Sequence, residues 1–256
     1  MFPFDYHVHT NLSPCAAREF SLEKAVEIHQ ENGIQEIGIT DHDYAYGHKP
    51  KNIETVRKAI KALNPSIPVY LGVESHMLEY RVPSINIQLA AYFDYVLVAP
   101  NHYHLRGVSA PSDFRSPSRV AAHEMHMFEA AIACPLTDAI AHPFVLTPAV
   151  FKMTKDEIGV LGQEMMRYVD QKRLISQLDL AVQRGIGIEI SPKFIHYGQM
   201  HLVEFYQLCL ERGVKLLIGS DAHRAEELTA ISQLAPILGQ LGVEEKHLWR
   251  PKEWKW

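Results

Sequence analysis

The sequence predicts a single α/β barrel of seven parallel strands. Three observations lead there. Short apolar or β-branched runs alternate with longer helical patterns seven times. No linker or low-complexity stretch divides them, and 256 residues is close to the size of one such barrel. Histidines and acidic residues also cluster at the strand ends, where α/β barrels carry their chemistry. A doubly wound open sheet would give the same alternation. Either way, residues 1–256 read as one domain.

Strands are expected at residues 3–7, 35–40, 69–73, 95–99, 139–141, 187–190 and 215–219, each a strand-length apolar run. Helical periodicity marks 21–32, 53–63, 118–133, 173–183 and 202–212. Ser21 stands at an N-cap, although Lys24 supplies only half of a capping box. Gly33, Gly185 and Gly213 sit where helix C-caps belong. Asn32-Gly33-Ile34, Arg184-Gly185-Ile186 and Arg212-Gly213-Val214 therefore read as helix stop followed by strand start. Residues 82–94, 103–118 and 148–171 give no clear element. The second of these, with Gly107, Pro111, Pro117 and several serines, reads as an active-site loop.

Composition narrows the function. A net charge of −5 argues against a module that holds long nucleic acids on a basic face. Cys15, Cys134 and Cys209 are too few and scattered for a disulfide framework, which suits a reducing, cytoplasmic setting. The first apolar run contains Asp5 and His7 and is not a signal peptide. Apolar runs stay far short of the roughly 20 residues of a membrane span. Homo-oligomerisation is left open. The anomaly is histidine: 15 of them, against 14 glycines.

Position gives that excess its meaning. The strand ends carry His7 and His9, then Asp41 and His42, Glu74, His102, His142, Glu189, and finally Asp221 and His223. Given the abundance of His, Asp and Glu, a three-residue window would score by chance roughly 45% of the time; six or seven hits in seven is a rare outcome. His-x-His at a strand end puts both imidazoles on one face, because side chains alternate with period two. Imidazoles and carboxylates facing one mouth suit Zn²⁺, Mn²⁺ or Fe²⁺.

At these residues the chain resembles the PHP (polymerase and histidinol phosphatase) superfamily of metal-dependent phosphoesterases. The resemblance is carried by the stretch from Asp5 through His7 and His9 to Thr10, Ile39-Thr40-Asp41-His42, Gly72-Val73-Glu74, Asn101-His102, Ala141-His142-Pro143 and Gly219-Ser220-Asp221-Ala222-His223. It implies a distorted (β/α)7 barrel holding two or three divalent ions. His7, His9, Glu74 and Asp221 would surround one, with Glu74 bridging to a second at His102 and His142. His42 and His223 would hold a third. Its further ligand, an Asp or His in the family, is replaced here by Cys15, and a thiolate can bind Zn²⁺. The implied activity is hydrolysis of a small phosphate monoester by a metal-bridging hydroxide. Asp221 and Glu74 would position that hydroxide, and His223 or His42 would handle a proton.

A phosphorylated substrate needs a cation, and Arg106 and Arg224 are the expected ones, with Lys193 a third candidate. Asp5 and Asp41 are expected to orient neighbouring imidazoles. Glu189 is balanced between a substrate contact and a buried hydrogen bond. His123-Glu124-Met125-His126 has the wrong spacing for a metalloprotease and reads as outer helix surface. His76, His104, His196 and His201 lie near the mouth or on loops, whereas His29, His48 and His247 read as surface. The tryptophans from Trp249 onward suit packing across the barrel bottom or a subunit contact.

Histidinol phosphate is a substrate the resemblance suggests, yet His142-Pro143-Phe144 lacks the acidic residue expected after the fifth-strand histidine. Two alternatives stand beside a phosphoesterase. One is an amidohydrolase-type C–N hydrolase, which would bridge its metals with a carboxylated Lys where this chain has Glu74. The other is a non-catalytic metal-binding module.

Overall fold

The computed structural model describes residues 3–251. Seven parallel strands form one sheet curled into a barrel: β1 (Phe4–Val8), β2 (Glu36–Ile39), β3 (Val69–Glu79), β5 (Tyr95–Ala99), β6 (Ala139–Ile140), β7 (Gly187–Ile190) and β8 (Leu216–Ile218), in that spatial order. The two-residue β4 (Val82–Pro83) pairs antiparallel with the outer end of β3. Between strands run α1 (Leu22–Glu31), α2 (Pro50–Leu63), α3 (Ile87–Ala90), α4 (Pro117–Ala133), α5 (Pro148–Phe151), α6 (Lys155–Tyr168), α7 (Gln171–Arg184), α8 (Lys193–His196), α9 (Leu202–Glu211) and α10 (Ala235–Gln240). Val8 meets Ala222 in a parallel bridge, His9 N–H donates to Ala222 O and Asp221 N–H to His7 O, so the last strand is tied back to the first.

The expected strands and helices agree with these to within a few residues at each end, except that β3, expected to stop at Val73, runs on to Glu79. Ser21 caps α1, its hydroxyl accepting from Lys24 N–H, and Gly185 is the left-handed cap of α7. The main omission is α6, inside the unassigned stretch 148–171. Its interior holds Gly159 and Gly162, which lower helix propensity by about 1 kcal/mol each relative to Ala. Both are close-packed: a Cβ on Gly159 would lie 3.0 Å from Gly198 O, and one on Gly162 would lie 2.7 Å from the His201 ring. Packing there outweighs propensity. Thr154 and Glu157 form the capping box that starts this helix.

The barrel bottom is filled by aromatic rings. Tyr95 crosses the interior and its hydroxyl donates to Tyr6 O; Gly38 and Gly72 leave the space its ring occupies. Trp249 packs edge-on against Tyr6 and Tyr95 and covers Gly187, where a Cβ would come within 2.6 Å of the indole. Packing across the bottom is thus what Trp249 does; Trp254 and Trp256 lie outside the described residues. No helix among the described residues is long and apolar enough to cross a membrane.

Candidate metal centre

The strand-end residues converge at the C-terminal mouth of the barrel. His7 and His9 bring their Nε2 atoms to 3.2 Å of each other, as the shared face requires. Glu74, 1% exposed, divides its carboxylate between two groups. Its Oε2 lies 3.7 Å from His7 Nε2, 3.4 Å from His9 Nε2 and 3.0 Å from His42 Nδ1. Its Oε1 lies 3.4 Å from His102 Nε2 and 3.2 Å from His142 Nε2. Asp221 Oδ1 closes the first group at 3.6 Å from His7 and 3.4 Å from His9. Ligand atoms of Cys15, His9, His42 and His223 form a third group within 4.8 Å of one another.

Three of the imidazoles are aimed by a bond on the far nitrogen. His7 Nδ1–H donates to Glu189 Oε1 at 2.8 Å, and His142 Nδ1–H to Asn101 Oδ1 at 3.1 Å. His9 Nδ1 faces Ser13 Oγ at 3.3 Å, whose own proton goes to Asp41 Oδ1. This leaves the Nε2 atoms of His7, His9 and His142 facing the mouth, where a bound cation would take their lone pairs. The backbone is bent to the same end: His142 and Asp221 hold φ of 29° and 52°, a region costing a non-glycine residue about 1–3 kcal/mol.

The orienting partners differ from those the sequence suggests. Asp5 binds His7 N–H, Ser220 N–H and His29 Nε2, not a mouth imidazole, so His29 is buried against it and is not a surface residue. Asp41 accepts from Thr10 and Ser13 and thereby folds the loop that carries Cys15. Glu189 takes the role expected of Asp5, a fully buried hydrogen-bond acceptor that also receives His142 N–H at 2.7 Å. Gly219 makes room for it: a Cβ there would lie 2.3 Å from Glu189 Oε1. Helix α4 corrects a further expectation. Glu124 is not surface but 1% exposed, accepting from Tyr103 O–H beneath the mouth.

The donor set fits divalent cations. Two Nε2 lone pairs at 3.2 Å repel unless a cation or a proton lies between them, and the buried Glu74 and half-buried Asp221 carboxylates face the same point. Glu74 Oε2 and His42 Nδ1 are buried with no hydrogen-bond partner. Charge balance says the same. Burial would push Glu74 up, but His102, His7 and His42 hold its carboxyl well below the usual range. Burial likewise opposes a charged His9, yet Asp221 and Glu74 raise it to about 9. Cys15, exposed at the rim, differs: desolvation of its sulfur, with Glu74 and Asp221 adding to it, lifts the thiol to about 12, so a cation there would have to displace its proton.

A cavity of about 180 Å³ opens above these residues. Tyr44, His104, Lys193 and Tyr197 line its walls. Lys193 Nζ sits 3.5 Å from Asp221 Oδ2 and 4.0 Å from Glu227. Neither of the two expected arginines lines it: Arg106 is exposed, and Arg224 pairs with Glu227 at the surface. Lys193, whose place after a strand end does not by itself show where its side chain turns, is the cation that lines the cavity.

One family model and one solved structure agree with this architecture. The family model of the PHP domain matches residues 5–192. A search of curated proteins finds no match. Among solved structures the chain is similar to a candidate histidinol phosphatase, hisK, from Listeria monocytogenes, at 12% identity and a TM-score of 0.61 over 88% of this chain and 97% of that one. An archaeal ribonuclease P with mature tRNA gives 13% identity and a TM-score of 0.46 over 98% of this chain and 99% of that one. A truncated 3-deoxy-D-arabino-heptulosonate 7-phosphate synthase from Thermotoga maritima gives 14% and 0.37 over 94% and 89%. The match over residues 5–192 covers well over half of the chain, and the chain therefore belongs to the PHP domain family, which places it, at family level, among metal-dependent phosphoesterases.

Proposed function

We propose that the protein hydrolyses a small phosphate monoester with two or three divalent ions held by His7, His9, Cys15, His42, Glu74, His102, His142, Asp221 and His223. The observation that carries this reading is the divided carboxylate of Glu74, one oxygen facing each of two imidazole groups. Divalent ions bound there would supply a water of lowered pKa and neutralise charge on the attacking and leaving oxygens.

The chain's own groups do the rest. Glu74 and Asp221 fix where the attacking water stands. Lys193, the cation lining the cavity, binds the phosphate in place of Arg106 and Arg224. His223 Nδ1 is tied to Asp221 O at 2.9 Å, which leaves its other ring nitrogen to take a proton from the water. Engaged as a ligand beside Cys15 and His42, it would leave that proton to Asp221. A mouth of this size with one lining lysine favours a small substrate over a polymer, whose affinity comes from many Lys and Arg contacts. A glutamate at the bridging position favours this reading over a lysine-bridged C–N hydrolase.

Metal analysis of the purified protein, with panels of phosphate monoesters, diesters and amides, tests it. Bound divalent metal and monoester hydrolysis abolished by Glu74→Gln and Asp221→Asn are expected. Absence of metal, or activity indifferent to both substitutions, overturns the reading.

A further inference from the structure

His76 lies two residues beyond Glu74 on β3 and so shares its face, one step further out. It is 3% exposed, and its Nδ1 lies 2.8 Å from His102 Nδ1. A contact of that length between two ring nitrogens holds one proton, donated by one ring and accepted by the other. Asp43, the residue after His42, is equally buried on the far side of the His76 ring. His76 Nε2 and both Asp43 carboxylate oxygens have no hydrogen-bond partner within 3.5 Å, with the Ser84 hydroxyl and Tyr44 N–H the other donors near that carboxylate, and Nε2 stands 3.8 Å from Oδ1. That separation suits a bridging water or a small closure of the pair.

We propose that Asp43 and His76 form a positioning pair that sets the tautomer and ring orientation of His102. This rests on the reading of His102 as a metal ligand. Two arrangements of the shared proton exist. If His76 donated, His102 would carry its own proton on Nε2, the atom facing Glu74 Oε1 at 3.4 Å, and could not offer a lone pair there. His76 would then turn its Nε2 lone pair toward the Asp43 carboxylate, a repulsive contact. If His102 donates instead, His76 keeps its proton on Nε2, pointing at Asp43, and His102 Nε2 is open. The carboxylate selects the second arrangement. His7, His9 and His142 are each held through Nδ1 by an oxygen acceptor; His102 is held through Nδ1 by a nitrogen, and no other hydrogen bond reaches that atom among the described residues.

The test combines tautomer and affinity. In long-range proton–nitrogen spectra of the histidine-labelled, metal-free protein, His102 is expected as the Nδ1–H form and His76 as the Nε2–H form. Competition between the protein and a chelator for zinc then follows the variants. His76→Phe removes the acceptor and should weaken one zinc equivalent roughly 10- to 100-fold. His76→Asn places an amide oxygen near the lost Nδ1 and should stay within about threefold of the parent. Asp43→Asn should weaken the same equivalent and mix the tautomers of His102. Parent-like affinity in His76→Phe, equal loss in His76→Phe and His76→Asn, or a His102 proton on Nε2 overturns the proposal. Should His76→Phe not fold, Asp43→Asn with parent-like affinity and spectra overturns it equally. A parent protein that binds no zinc defeats the proposed function, whereas the metal-free spectra still decide the tautomer.

Discussion

Glu189 Oε1 lies 2.8 Å from His7 Nδ1 and fixes that imidazole with its lone pair toward the mouth. The same carboxylate receives His142 N–H through its other oxygen, so one residue fixes two ligand positions whose rings stack 5.8 Å apart. Glu189→Gln keeps the volume and removes the charge that makes His7 basic. We expect roughly tenfold or greater loss of affinity for one divalent ion, measured by chelator competition. Unchanged affinity would show that His7 needs no anionic support.

Gly219→Ala tests the space around that contact. The added methyl would fall 2.3 Å from Glu189 Oε1 and 2.6 Å from His7 Cβ. Overpacking of this kind costs about 1–3 kcal/mol. A lowered melting temperature with weakened metal binding is the expected pair of results; a change in neither would mean the strand shifts at no cost.

Cys15→Ser separates two ions from three. A cobalt-substituted parent protein should show a near-ultraviolet thiolate-to-cobalt band, and the variant should lose both the band and one metal equivalent. Parent and variant with the same spectrum and stoichiometry would remove Cys15 from the ligand set.

Lys193→Gln should act on substrate capture. A hydrogen bond to a charged partner contributes about 1.5–3 kcal/mol, so KM for a phosphate monoester should rise roughly 10- to 100-fold. Its loss also frees Asp221, so metal content is measured alongside. An unchanged KM with full metal would return the phosphate to another residue.

Stability should fall as pH rises across a window set by Glu124. Burial pushes its carboxyl from 4.5 to about 7, with Tyr103 only partly offsetting this. Below pH 4.5 the group is protonated in folded and unfolded chains alike. Between 4.5 and about 7 only the folded chain keeps the proton, so stability drops through this interval and the penalty is complete above it. Glu124→Gln should erase that slope and gain on the order of 3 kcal/mol at pH 8, read from urea melts at several pH values. Parallel curves for parent and variant would contradict the assignment.

Strand ends were legible in the sequence because alternation and spacing are local properties. His7, His9, Glu74, His102, His142 and Asp221 meet where the seven-strand pattern puts them. What the sequence hid depends on partners far along the chain. His29 resembles a solvated helix residue until Asp5, 24 positions away, is brought beneath it. Glu124 lies between two histidines on an amphipathic helix, and only the Tyr103 contact shows which way it turns. Helix α6 is concealed by the two glycines its packing requires. Arg106 and Arg224 have the right chemistry near the right strands, but side-chain direction on a loop leaves no periodic trace.

The tie between β1 and the segment after β8 has a consequence for biosynthesis. Ser220 Oγ donates to His7 O across 213 positions of sequence, and Asp221 N–H donates to the same oxygen. Closing contacts of such long range is entropically costly and slow. Synthesis makes His7 and His9 long before Asp221, so the pair of histidines waits without that carboxylate while the intervening strands are made. On the proposed ligand set, tight loading of that centre would await the segment after β8, and a chain released before Asp221 would offer only part of it.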